Sequence, residues 1–265
     1  YLLNSQKNAM VAHEMNSDQI SWDNSQDVIL SNLNEFEKTL STGNPHLTIT
    51  HSLSNEELLK NYDNYGNIKL VGDVGFYYLP YIDIILKKNQ DVRFVCLRRD
   101  EHETVRSYLR KTLTYRDTSL FGVFKFNRVI NRNHWIKHNG LKWNKDALWD
   151  KCYPKYAAKT KEEALHYYWQ DYYNTIGGLE SKYPDNLKIF DIEDKVADIL
   201  AAINPLLPTP HKITFDLQFA ISTTALLNEL SIFFFNFCNA CISRSITFFA
   251  MGINFLVISG TRYNL

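Results

Sequence analysis

The alternation of apolar strand patterns with amphipathic helix patterns constrains the fold of this chain more than any other feature. Strand patterns occur at residues 68–71, 92–97 and 187–192. Helix patterns occur at residues 25–42, 79–88, 101–111, 161–181 and 196–203, and a capping box formed by Ser54 and Glu57 predicts a further short helix. Strands that alternate with helices along a chain are typical of α/β domains. We therefore predict a parallel sheet covered by helices.

The composition allows one sizeable core and excludes one class of partner. Hydrophobic residues make up 45% of the 265 residues, and we expect a single α/β domain from residue 1 to about residue 213. The 29 basic residues balance the 29 acidic ones, so the formal net charge is zero. Nucleic-acid-binding domains are usually strongly basic, and we expect no nucleic-acid partner.

Two segments depart from the α/β pattern. Residues 112–160 interleave basic and aromatic side chains, which favours a helical or irregular insertion, or a lid over a site. Residues 214–265 are far more apolar than the rest of the chain. Arg244 and several asparagines interrupt this apolar segment, and its uninterrupted part is shorter than the roughly 20 residues of a membrane-spanning helix. A membrane contact through residues 231–259 is the less favoured alternative.

The residues at the end of the strand pattern 92–97 form a candidate anion site. Arg98 and Arg99 end the strand, and Ser107 follows about two helical turns later. Ligands of open α/β sheets bind at the carboxyl ends of the strands, where an arginine fork can hold a phosphate. In the alternative interpretation, both arginines form a solvated charge cluster with Glu101 and Glu103, in which each ion pair contributes at most about 1 kcal/mol.

This region also resembles a known family. The segment "VRFVCLRRDEHETVRSYLRK" resembles the 3′-phosphate-binding segment of the sulfotransferases, in which an arginine ends a strand and a serine follows eight residues later. Arg99 and Ser107 have this spacing. Three further stretches agree in order: "YLLNSQKNAMVAHEM", "KLVGDVGFYYLPYI" and "ALHYYWQDYYNTIGGLESKYPDNLKIFDIED". In the second of these, Val74 and Phe76 replace the lysine and proline of the family pattern.

The resemblance implies a fold, a reaction and a catalytic base. The fold would be a three-layer α/β/α domain of the P-loop type, and the reaction would be sulfuryl transfer from 3′-phosphoadenosine 5′-phosphosulfate, without a metal ion. The acceptor would be a hydroxyl or an amine of a small molecule or a glycan. Glu14 would be the base, with His13 as the alternative. Both a cytoplasmic and a Golgi-type location fit the resemblance.

The family's phosphosulfate-binding loop and the central strand before it would lie before Tyr1, so we expect either that the chain is truncated at its N-terminus or that another segment fills their place. We therefore hypothesise that the apolar residues 255–258 dock in the place of this strand. Such docking would bring Gly260, Thr261 and Arg262 near the phosphate site.

Two other functions remain open from the sequence. A catalytically inactive or fragmentary relative could act as a nucleotide-binding or interaction protein. A P-loop kinase of small molecules, which ranks lower, would need a carboxylate at a strand end to bind magnesium, and Asp73 is the candidate.

Overall fold

The computed structural model of the chain describes residues 8–52, 54–120, 124–137, 149–192 and 254–260. It is a mixed α/β structure. The strands are β1 (Ala9–His13), β2 (Leu70–Gly75), β3 (Arg93–Arg98), β4 (Leu113–Leu120), β5 (Phe124–Asn131), β6 (Leu187–Asp191) and β7 (Asn254–Gly260). The α-helices are α1 (Gln26–Thr42), α2 (Glu56–Lys60), α3 (Ile82–Lys88), α4 (Glu101–Lys111) and α5 (Lys161–Lys182).

The main sheet has the strand order β1-β2-β7-β3-β6. β1 is parallel to β2 and β3 is parallel to β6, while β7 lies between β2 and β3 and is antiparallel to both. The strands β1, β2, β3 and β6 therefore all run in one direction. Their last residues lie along the same side of the sheet, which we call the carboxyl edge.

The apolar pattern of each helix explains which side of it is buried. In α1, Ile29, Leu33 and Phe36 are buried at helical spacing, and the helix ends at Gly43, whose positive φ of 68° suits a residue without a side chain. In α5, the buried residues include Tyr168 and Tyr172. These side chains belong to one hydrophobic core that is rich in aromatic residues.

Three side chains of α5 attach this helix to the carboxyl edge. The hydroxyl of Tyr172 donates to the Phe76 carbonyl at 2.9 Å, and the hydroxyl of Tyr173 donates to the Leu97 carbonyl at 3.0 Å. The indole nitrogen of Trp169 donates to the Arg99 carbonyl at 3.0 Å. The backbone after β2 and at the end of β3 is thereby fixed to the same helix.

The structure corrects several predicted elements. β2 begins two residues later than predicted and continues to Gly75, and a 3-10 helix (Phe76–Tyr81) precedes α3 where one α-helix was predicted. The predicted helical or irregular insertion contains the antiparallel pair β4 and β5. β7 lies in the main sheet, although it comes from the apolar C-terminal segment. The predicted helix at residues 196–203 lies outside the described residues. Within the described residues, no helix combines the length and the apolar character needed to cross a membrane.

Candidate functional site

The two candidate bases lie at the end of β1, on the carboxyl edge. His13 is the last residue of β1, and Glu14 follows it with a φ of 53°, in the left-handed region that non-glycine residues seldom adopt. The Glu14 amide donates to the Val74 carbonyl at 2.9 Å, which continues the pairing with β2 for one more residue. Glu14 Oε2 lies 3.8 Å from His13 Nδ1.

Burial shifts both groups toward their neutral forms. Burial raises the pKa of Glu14 to about 7, and the negative charge of Asp73 contributes in the same direction while the positive charge of Lys111 opposes it. Burial lowers the pKa of His13 to about 4, and Lys111 adds to this shift. Between these pH values, the His13–Glu14 contact joins two neutral groups. A carboxyl group whose pKa is near neutrality suits general acid–base catalysis.

Asn55 supports the backbone of His13 from the other side of β1. Its side-chain oxygen accepts from the His13 amide at 2.9 Å, and its side-chain nitrogen donates to the His13 carbonyl at 2.9 Å. The side chain thereby replaces a neighbouring strand. Sequence reasoning missed this role, because the pattern predicted a capping box between Ser54 and Glu57. Asn55 is instead the N-cap residue of α2, and its side chain makes no capping hydrogen bond.

Asp73 is a fully buried carboxylate in β2. It accepts hydrogen bonds from the hydroxyls of Tyr77 at 2.9 Å and Tyr78 at 2.7 Å. The Met15 amide donates to both of its oxygens, at 3.2 and 3.4 Å. Burial raises the pKa of Asp73, while these hydrogen bonds act in the opposite direction. Because three donors surround the carboxylate, the arrangement does not favour Asp73 as the magnesium ligand of a kinase.

Arg98 and Arg99 have separate partners at the end of β3. Arg98 binds Asp191 of β6 through two hydrogen bonds, with Nε–Oδ1 at 2.6 Å and Nη2–Oδ2 at 2.9 Å. Arg99 is mostly buried, and its Nη2 lies 3.6 Å from Glu103 Oε2. The Arg99–Glu103 pair is one that the charge-cluster interpretation predicted, whereas Arg98 pairs with Asp191, which lies outside the predicted cluster.

Glu103 is shared by two arginines. Its other carboxylate oxygen, Oε1, lies 2.6 Å from Arg106 Nη2. Two guanidinium groups thus converge on one carboxylate, an arrangement that sequence reasoning did not anticipate. Ser107 is partly buried on α4 and follows Glu103 by four residues, so both residues occupy the same side of the helix. Arg99 contacts Glu103 on this side of α4, and the joint binding of a phosphate by Arg99 and Ser107 stays a prediction.

The hypothesis placed residues 255–258 in the main sheet, and β7 pairs there with both β2 and β3. Its direction is antiparallel, however, and Gly260 pairs with Leu70 at the start of β2. Gly260 therefore lies at the edge opposite Arg99, which corrects the prediction that this glycine lies near the phosphate site. Asn254, the first residue of β7, pairs with Leu97 near the carboxyl edge. Thr261 and Arg262 lie outside the described residues.

The part of the chain that the structure describes contains no group of three or more His, Cys, Asp or Glu side chains that could hold a metal ion. The charged groups at the carboxyl edge instead combine a neutral-range carboxyl group with nearby cations. No protein-family model, curated protein or solved structure matches the chain.

Proposed function

We propose that this chain is a sulfotransferase of the three-layer P-loop type, which binds 3′-phosphoadenosine 5′-phosphosulfate at the carboxyl edge and acts on a small-molecule or glycan acceptor. One observation carries the proposal. β1 and β3 are parallel strands of one sheet, so Glu14 and Arg99 lie at the same edge. These are the two residues to which the sequence resemblance gives the roles of base and 3′-phosphate ligand. The strand order also supports the proposal. β1 and β2 lie on one side of the central strand position, which β7 occupies, and β3 and β6 lie on the other side.

In this proposal each residue has a defined task. The bound donor supplies the sulfuryl group. Arg99 holds the 3′-phosphate with Ser107, and in doing so exchanges its contact with Glu103 for the phosphate oxygens. The acceptor oxygen or nitrogen attacks the sulfur, the bond from sulfur to the phosphate oxygen breaks, and adenosine 3′,5′-bisphosphate leaves. Glu14, in its ionised form, takes the acceptor proton. Lys111 provides positive charge near Glu14.

A second candidate function is nucleotide binding without transfer. It is favoured by the direction of β7, which fills the central position of the sheet but runs opposite to its neighbours. A strand in this direction begins at the carboxyl edge and does not end there. It therefore does not lead into a loop that could surround the phosphosulfate with backbone amides.

Calorimetry on the full chain tests nucleotide binding. We expect adenosine 3′,5′-bisphosphate to bind, and we expect Arg99→Ala and Ser107→Ala to weaken binding. Lys88→Ala is the matched control, because it removes a positive charge from the last turn of α3, just before β3 begins at the opposite edge. Absence of binding, or equal affinity in Arg99→Ala and the unmodified chain, would refute both candidate functions.

Transfer of labelled sulfate to a panel of hydroxyl and amine acceptors distinguishes the two candidates. Turnover that is lost in Glu14→Gln supports the sulfotransferase. Binding without turnover on any acceptor supports the second candidate.

A further inference from the structure

The backbone on both sides of Glu14 is held by two consecutive residues of β2. The Glu14 amide donates to the Val74 carbonyl at 2.9 Å, and the next amide, that of Met15, donates to the Asp73 carboxylate at 3.2 and 3.4 Å. In a regular strand, consecutive amides point to opposite sides, so an amide that follows one bonded to β2 would point away from β2. The chain turns at Glu14 with a φ of 53°.

The Asp73 carboxylate is itself fixed by buried donors. Tyr77 and Tyr78 follow it in the 3-10 helix after β2, and both hydroxyls reach its Oδ2 atom. All three residues are fully or almost fully buried. An amide can only donate a hydrogen bond, so the Met15 contact favours the ionised form of Asp73, in which both oxygens accept. The carboxylate therefore occupies one defined position beneath the turn at Glu14.

We propose that Asp73 is a positioning residue that fixes the Glu14 carboxyl group at the carboxyl edge by binding the backbone amide of Met15. This inference rests on the proposed function, in which Glu14 is the base. Asp73 does not touch the reacting atoms in this proposal, but it fixes the backbone conformation of Glu14, which does touch them.

Five charged or titratable groups from different parts of the structure face Glu14. They are His13 in β1, Asp73 in β2, Tyr77 in the following 3-10 helix, Lys111 at the end of α4, and Tyr153 just after the 3-10 helix Asp150–Cys152. Of these, Asp73 contributes negative charge and raises the pKa of Glu14, whereas Lys111 lowers it. Removal of the Asp73 charge should therefore lower the pKa of Glu14, and because loosened packing would lower it too, the measurement needs a control for packing.

The test is a carbon-13 NMR titration of the glutamate carboxyl groups in the full chain. In Asp73→Asn, which preserves the shape of the side chain, we expect the pKa of Glu14 to fall below about 7 but to stay above 4.5, because burial, the largest cause of the shift, remains. We also expect the acidic limb of the pH profile of sulfuryl transfer to move to lower pH by the same amount. Tyr78→Phe is the matched control. It removes one hydrogen bond from the same cluster but leaves the carboxylate and the Met15 contact, so the titration of Glu14 should stay unchanged.

The outcomes separate this inference from the proposed function. An unchanged Glu14 titration in Asp73→Asn, or an equal shift in Tyr78→Phe, would overturn the role of Asp73 whether or not the protein transfers sulfate. If Asp73→Asn does not fold, hydrogen exchange in the unmodified chain decides. Slow exchange of the Met15 amide supports the contact, and exchange at the rate of an exposed amide overturns it. The NMR measurements need no donor or acceptor, so a failure of the sulfotransferase proposal leaves them interpretable.

Discussion

Replacement of Glu14 by glutamine should change how the stability of the protein depends on pH. The pKa of Glu14 is about 7 in the folded protein, against an ordinary value of 4.5. Between these two pH values the folded protein retains a proton that the unfolded chain has lost. Unfolding therefore becomes easier as the pH rises through this range, and the penalty is complete above pH 7. Glutamine carries no such proton and removes this dependence.

The size of the effect follows from the two pKa values. Each unit between them corresponds to about 1.4 kcal/mol, so the gap from 4.5 to about 7 amounts to ~3 kcal/mol at most. The free energy of unfolding of Glu14→Gln, minus that of the unmodified protein, should thus increase by up to ~3 kcal/mol between pH 4 and pH 8. A constant offset from the substitution itself does not affect this difference between pH values.

His13 gives the opposite dependence and provides an internal check. Its pKa is lowered from 6.5 to about 4, so between these values the unfolded chain binds a proton that the folded protein does not. Stability therefore rises with pH in this range, by an amount similar to the loss from Glu14. In the unmodified protein the two dependences largely cancel. In Glu14→Gln the free energy of unfolding should therefore rise with pH, and in His13→Asn it should fall with pH.

Urea unfolding followed by circular dichroism at half-unit steps from pH 4 to pH 8 measures these differences. Glu56→Gln serves as the control, because Glu56 is an exposed carboxylate paired with Lys60 on α2. A difference between Glu14→Gln and the unmodified protein that stays constant across this pH range, as in the control, would refute the raised pKa. It would also remove the physical reason for assigning Glu14 as a base that acts near neutral pH.

Three further predictions follow from the arginines and the N-cap residue of α4. Glu103→Gln should tighten the binding of adenosine 3′,5′-bisphosphate about twofold in calorimetry. The reason is that the Arg99–Glu103 ion pair, which competes with the phosphate, contributes about 0.5 kcal/mol. Weaker binding would contradict the proposal that Arg99 exchanges Glu103 for the phosphate. Arg98→Ala should leave this affinity unchanged and lower the free energy of unfolding by less than about 1 kcal/mol, since its pair with Asp191 is exposed; a loss of binding would assign the phosphate to Arg98. Asp100→Ala should cost about 1 kcal/mol in urea unfolding, because the Asp100 side chain accepts from the Glu103 amide at the start of α4; an unchanged midpoint would show that this cap contributes nothing.

The strand β3 and the helix α4 were predictable because both depend on local patterns. Four consecutive buried residues identify β3, and its end at Arg98 is one residue later than predicted. α4 begins and ends at the predicted residues, Glu101 and Lys111. The pairing of Arg99 with Glu103 is also local, since the two residues are separated by one helical turn. Sequence reasoning gave this pair as part of the charge-cluster alternative.

Contacts across the sheet were not predictable in the same way. Asn55 binds the backbone of His13, which is 42 residues away, and Asp73 binds the amide of Met15, which is 58 residues away. Neither contact leaves a recognisable sequence pattern, because asparagine and aspartate are also common in turns and at helix caps, where their side chains make other hydrogen bonds. The unusual feature of Asp73, a carboxylate in a strand that is otherwise apolar, was visible in the sequence, but it was considered only as the candidate magnesium ligand of the lowest-ranked function.

The sequence by itself determined the alternation of strands and helices and the spacing of Arg99 and Ser107, because these depend on residues close together in the chain. Only the tertiary structure decided that β7 runs antiparallel between β2 and β3, which places Gly260 at the edge opposite Arg99. An apolar strand pattern repeats every two residues in either direction, so it specifies burial but not the direction of pairing. The tertiary structure also decided the environment of Glu14, since the pKa of a carboxyl group depends on burial and on charges that distant parts of the chain bring near it.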